Sequence, residues 1–254
     1  MSGDPIGVFD SGVGGISTLG AMVRLMPGES FIYYGDTRHA PYGTKTTEEV
    51  IACVRRVVNL LLEERIKALV IACNTATGAA AAVLREELSI PVIGMEPALK
   101  PAWEAGGGGA ILVMATPLTL RQEKFSRLME RYGENAVPLA CPGLMELVEQ
   151  ENDAGAETYL RTLFSQWDLN RVSAVVLGCT HYVFLRPMIR RMLPGHILIT
   201  DGNEGTARQL RRVLERNNLL SAAERGGIRL LTSGDEDRIL PVMRRLLEKA
   251  YRLT

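Results

Sequence analysis

Four cysteines, Cys53, Cys73, Cys141 and Cys179, are spread through 254 residues with none of the close CxxC spacing that zinc ribbons and dithiol redox sites use. Two of them stand in matching contexts. Leu69-Val-Ile-Ala-Cys-Asn-Thr75 and Val175-Val-Leu-Gly-Cys-Thr180 are apolar, strand-like runs that end in cysteine, with a threonine one or two positions later. A cysteine at the carboxyl end of a buried strand and just ahead of a helix sits near unpaired backbone N–H groups and the positive end of a helix dipole. That setting favours the thiolate and predicts a base usable near neutral pH. Taken singly, each reads first as a small buried hydrophobe. As a pair in matching contexts, 106 residues apart, Cys73 and Cys179 point to two acid/base groups offered by two similar units. Asn74, Thr75, Thr180 and His181 follow them directly, a composition poor for core and suited to gripping a small charged ligand.

The stretch from Phe9 to Ser17 is a strand running into a glycine-rich turn. It lacks the lysine of a P-loop and its glycines miss the GxGxxG spacing, which argues against nucleotide binding. Its glycines instead allow a close backbone approach to a small ligand with Asp10 and Ser11 beside it, although Asp10 reads equally well as a turn or cap residue. Tyr34 to Gly43 mixes aromatic, acidic and turn residues, and reads as a site-lining loop or as a plain turn through Pro41, Tyr42 and Gly43. His39 and His196 carry no supporting pattern. His181, two residues past Cys179, is placed to tune that thiol or to bind a carboxylate. No third or fourth ligand accompanies Cys179 and His181 at a usual spacing, so no metal site is expected.

These side chains need a scaffold that delivers loops from several strands to one place. Short β-rich runs alternate with longer helical ones, the pattern of an α/β protein with mainly parallel sheets. Strands are predicted at 6–9, 30–34, 68–72, 92–94, 110–114, 174–177 and 196–199. Val50, Val54, Val57, Val58, Leu61 and Leu62 form one helical stripe, with Thr46 and Glu49 as a capping box at its start. Thr116 before Pro117 marks another helix start. The echo between the two cysteine runs predicts two similar α/β units, each presenting its cysteine where open α/β sheets place ligands. With 29 basic and 29 acidic residues, the balance argues against a nucleic-acid or anionic-membrane partner. No apolar run approaches the roughly 20 residues needed to cross a bilayer, so a cytoplasmic protein is expected.

FDSGVGG at 9–15, GDTRHAPYG at 35–43, ACNTA at 72–76 and LGCTHY at 177–182 together resemble the signatures of the glutamate racemases, within the aspartate/glutamate racemase family, in order and spacing. Thr116-Pro-Leu-Thr119 and Val148-Glu149 are similar to further patterns of that family. Two positions depart from it: Val183 stands where proline is common, and Gly202 where serine is usual. The resemblance implies two pseudo-symmetric α/β domains, residues 1–96 with 207–254 and residues 97–206, and an active site in the cleft between them. It further implies racemisation of glutamate without any cofactor, Cys73 acting on D-glutamate and Cys179 on L-glutamate. Asp10 and His181 would assist these thiols, with Glu149 a further helper. Ser11, Tyr42, Gly43, Asn74, Thr75, Thr116, Thr119 and Thr180, along with Asp10 and His181, would hold the substrate. Supply of D-glutamate for peptidoglycan and a homodimeric state are implied as well.

Two other readings share these residues. An aspartate or hydantoin racemase would use the same paired cysteines, and a binding module would keep the cleft without catalysis. A redox role for the two thiols would need them adjacent, which a cleft wide enough for glutamate opposes.

Overall fold

The Thr46 hydroxyl accepts the Glu49 N–H at 3.2 Å while the Glu49 carboxylate takes the Thr46 N–H at 2.8 Å. This reciprocal cap opens a helix that buries Val50, Val54, Val57, Val58 and Leu61, with Leu62 partly buried beside them. Similar local logic repeats through the computed structural model, which describes residues 2–253. In chain order the elements are β1 Ile6–Asp10, α1 Ile16–Leu25, β2 Phe31–Gly35, α2 Thr47–Glu63, β3 Ala68–Ile71, α3 Asn74–Glu87, β4 Val92–Gly94 and α4 Leu99–Glu104. There follow β5 Ala110–Ala115, α5 Pro117–Arg121, α6 Glu123–Tyr132, β6 Ala136–Ala140, α7 Leu144–Glu149, α8 Asp153–Phe164, β7 Val172–Leu177, α9 Arg186–Met192, β8 Leu198–Asp201, α10 Asn203–Arg216, β9 Ile228–Thr232 and α11 Glu236–Ala250.

The strands form two sheets, both parallel throughout. One has the order β4-β3-β1-β2-β9, the other β6-β5-β7-β8. β1 and β3 are buried along their whole length, as expected for parallel strands covered by helices on both faces. One core packs β1 and β3 against α1, α10 and α11, and another packs the opposite face against α2 and α3. The second sheet is likewise flanked, by α7 to α9 on one side and by α4 and α6 on the other.

Two strands escape the sequence reading. β6 contains Pro138 and is half-exposed along its length; proline is tolerated there because β6 is an edge strand. β9 is the opposite sheet's edge and carries Arg229 outward. The last predicted strand begins two residues later than expected, at Leu198.

Each sheet reverses its winding once. In the first, β2 lies on one side of β1 and β3 on the other; in the second, β6 and β7 flank β5. The gap between diverging loops at such a reversal is where open α/β sheets bind ligands. Here the loops after β1 and β3 meet the loops after β5 and β7.

Candidate active site

Cys73 leaves β3 and caps α3, its sulfur accepting the Ala76 N–H at 3.4 Å. Ser11, from the loop after β1, lies 3.5 Å from the same sulfur. Cys179 leaves β7 in the same way but precedes a short 3-10 turn, Thr180–Leu185, rather than an α-helix. Its sulfur is 3.7 Å from His181 Nδ1. Both cysteines line one narrow cleft between the sheets together with Ser11, Tyr42, Gly43, Asn74, Thr75, Thr116, Thr180 and His181. Ten of the residues singled out in the sequence are thus brought to one place. Asp10 and Thr119 lie immediately behind the wall. A wider groove runs along the crossovers near Glu96 and Gly202, but it holds neither thiol.

Asp10 is fully buried and accepts hydrogen bonds from Gly12 N at 2.8 Å and Thr180 Oγ1 at 3.1 Å. It therefore ties the loop beside Cys73 to the residue that follows Cys179. Burial raises its pKa, while His181, the Gly12 N–H and Thr180 pull the other way. His181 joins Cys179 to Glu149, whose Oε1 lies 2.9 Å from His181 Nε2 and also accepts Val13 N at 3.4 Å. Burial opposes a charge on His181, but hydrogen bonds to the Cys179 sulfur and to Glu149 outweigh it and hold its pKa well above the ordinary value. Glu149 is lowered despite its burial, through the hydrogen bond and charge of His181. The loop backbone passes close enough that a Cβ on Gly14 would stand 2.3 Å from His181 Nδ1, so only glycine fits.

Cys73 corrects one expectation. Its thiol is pushed up to about 12, first by burial and next by the charge of Asp10; the hydrogen bonds from Ser11 and Ala76 recover only part of this. Desolvation outweighs the helix N-terminus when the thiol is sealed in and a carboxylate stands nearby.

The far end of the cleft is polar. Thr75 Oγ1 lies 2.9 Å from Thr116 Oγ1 and 2.9 Å from Thr119 Oγ1, closing a triangle of hydroxyls across the two sheets. Asn74 Oδ1 is buried without a hydrogen-bond partner, an acceptor suited to a ligand's ammonium group. Tyr42 is held by its hydroxyl, which donates to Asp36 Oδ2 at 2.6 Å; Asp36 also binds His39 Nδ1 at 2.7 Å.

His39 thus has a structural partner, and His196 is exposed. Met145 and Gly178 line the cleft without having been singled out, since an apolar residue and a glycine carry no signal of their own. Tyr33, whose hydroxyl donates to Gly12 O at 2.8 Å, was missed because its partner lies 21 positions away, whereas Asp36, whose partners His39 and Tyr42 are near in sequence, stood inside a loop that reads equally well as a plain turn. Val183 is buried in the core beneath the 3-10 turn. Gly202 packs against the Glu96 carbonyl, which a Cβ would approach to 2.7 Å, and this accounts for the absence of serine. Among the described residues, no group of three or more His, Cys, Asp or Glu is arranged to hold a metal ion, and no helix is long and apolar enough to cross a membrane.

Two parallel sheets whose reversal points each deliver one cysteine to a shared cleft define an α/β enzyme with paired thiols. The chain belongs to the Asp/Glu/Hydantoin racemase family, whose pattern matches residues 7–210. It is 48% identical to glutamate racemase of Clostridium botulinum over 238 residues, 92% of this chain and 93% of that one. Against glutamate racemase of Clostridium perfringens it is 45% identical over 250 residues, 96% of each. Among solved structures, glutamate racemase isoform RacE1 from Bacillus anthracis superposes with a TM-score of 0.87 at 33% identity, covering 98% of this chain and 95% of that one. Glutamate racemase from Thermus thermophilus, in complex with beta-chloro-D-alanine, gives 0.82 at 38% identity, covering 98% and 94%.

Proposed function

We propose that the protein interconverts L- and D-glutamate by a two-thiol mechanism without a cofactor. The observation that carries this reading is the placement of Cys73 and Cys179 on loops of opposite sheets, lining one cleft too narrow for much besides a small ligand. High identity along nearly the whole length of glutamate racemases supports the substrate. In one direction a thiolate takes the Cα proton, and the C–H electron pair passes into the substrate carboxylate as an enediolate. The opposite thiol then delivers its proton to the other face of Cα, and the pair exchanges roles in the reverse direction. Cys73 works on D-glutamate and Cys179 on L-glutamate.

Deprotonation of Cα is difficult because the carbanion has no conjugated electron sink. Preorganised donors must stabilise the enediolate, and a desolvated site strengthens them. The N–H groups opening α3 and the hydroxyls of Ser11 and Thr75 serve as those donors, with the backbone of Tyr42-Gly43 alongside and Thr116, Thr119 and Thr180 completing the substrate's seat. The substrate ammonium, entering beside Asp10 and the unpartnered Asn74 Oδ1, brings positive charge toward Cys73 and eases its ionisation. Asp10 assists Cys73, and His181, held by Glu149, assists Cys179.

The lobes of this enzyme are residues 1–96 with 207–254 and residues 97–206. Its setting is the cytoplasm, as a homodimer that supplies D-glutamate to peptidoglycan synthesis. The test is loss of circular dichroism from L-glutamate incubated with the purified protein and no added cofactor. Decay toward zero ellipticity is expected; a flat signal, with decay on L-aspartate instead, would overturn the substrate.

A further inference from the structure

Gln122 joins α5 to α6 and is 8% exposed. Its Nε2 donates to the Thr75 carbonyl at 2.9 Å. Thr75 stands in the first turn of α3, two residues after Cys73, and its hydroxyl is already held between Thr116 and Thr119. The second sheet's helices therefore grip Thr75 twice, by backbone and by side chain. Gly78, one turn further along α3, makes room for the amide. A Cβ at Gly78 would lie 1.8 Å from Gln122 Oε1 and 2.4 Å from its Cδ. Glycine inside a helix is otherwise unfavourable relative to alanine, and the seated amide gives this one a local reason.

We propose that Gln122, seated on Gly78, is a positioning residue for racemisation, its amide fixing the turn that carries Cys73, Asn74 and Thr75 against the opposite lobe. The inference rests on the racemase reading. Without the amide, the Thr75 carbonyl loses its cross-lobe anchor and the hydroxyl triangle loosens, so the seat for the substrate and the height of Cys73 in the cleft both change. Displacements of about 1 Å at a reacting group cost on the order of a hundredfold in rate.

The experiment measures kcat and KM for glutamate, with thermal midpoints, in wild type, Gln122→Ala, Gln122→Met, Gly78→Ala and the double variant Gly78→Ala/Gln122→Ala. Gln122→Met keeps the volume and removes the donor. Gly78→Ala displaces the amide while favouring the helix. The expected result is a KM raised roughly three- to tenfold in each single variant, the range of one lost hydrogen bond, together with a lower kcat. The double variant is expected to match Gln122→Ala alone, because with the long amide gone the new methyl group meets no obstacle. Mere loss of folded enzyme lowers apparent kcat and leaves KM unchanged, so unchanged KM in Gln122→Met would overturn the proposal. A double variant whose loss equals the product of the single losses would do the same. An inactive wild type sinks the racemase reading and this proposal with it, whereas an active wild type with indifferent variants sinks the proposal alone.

Discussion

Around Cys179 the chemistry turns on a pair of opposite charges. Hydrogen bonds to Cys179 and Glu149 hold the His181 pKa well above its ordinary 6.5, against burial. Glu149 is held below its ordinary 4.5 by His181, again against burial. A raised histidine contributes stability that is complete below its unfolded pKa and is lost as pH rises through the folded one. A lowered glutamate contributes above its unfolded pKa, and its contribution is lost as pH falls through the folded one. Both contributions are therefore complete between the two ordinary values, 4.5 for the glutamate and 6.5 for the histidine, and fade on either side toward the folded ones. Removing the carboxylate in Glu149→Gln lets His181 deprotonate at lower pH, so the alkaline limb of kcat/KM for L-glutamate should move toward acid. An alkaline limb that stays where it is in wild type would show that Glu149 does not set the charge of His181. Most of this site was legible because its residue types are chemically conspicuous: thiols, threonines and a histidine in runs following strands. Glu149 was the less certain member, since it reaches His181 from 32 positions away. Gln122 was illegible because its contact with the Thr75 carbonyl, 47 positions away, exists only in the folded chain.

At the level of elements, periodicity carried far where burial is complete. β1 and β3 are buried along their whole length between helices, and the reading placed both within a residue. β6 and β9 were missed for the same reason in reverse: an edge strand exposes half of its side chains, and the apolar signal fades. The 3-10 turn after Cys179 also differs from the helix expected there. Its first two residues, Thr180 and His181, line the cleft, while Tyr182 turns into the core and donates to the Cys141 carbonyl at 3.0 Å. The capping box of α2 is the most readable local device, and its value is measurable. Thr46→Ala should cost about 1 kcal/mol and lower the thermal midpoint by roughly 2–4 °C in a chain of this size, with racemisation unchanged. A midpoint equal to wild type would show that the box is formed but contributes nothing.

For the whole molecule, the two winding reversals explain why loops so far apart in sequence share one cleft: each sheet opens its own gap, and the gaps face each other. The base of the first sheet is fastened separately. Lys67 and Glu29, both nearly inaccessible, form an ion pair; Lys67 also donates to the Ser2 carbonyl, and Glu29 accepts the Ser221 N–H at 2.7 Å. Breaking such a pair strands one buried charge, so Lys67→Met should cost about 3–5 kcal/mol, while Lys67→Met with Glu29→Leu should recover much of that loss. Urea denaturation checks both; a double variant no better than the single one would mean that the charges stabilise beyond their mutual pairing. The central claim is that two thiols on opposite lobes handle one proton from opposite faces. Racemisation of L- and D-glutamate by wild type, Cys73→Ser and Cys179→Ser, followed by circular dichroism, tests it most directly. The account predicts that wild type racemises both enantiomers and that each variant loses nearly all turnover in both directions; full activity in either variant would contradict it.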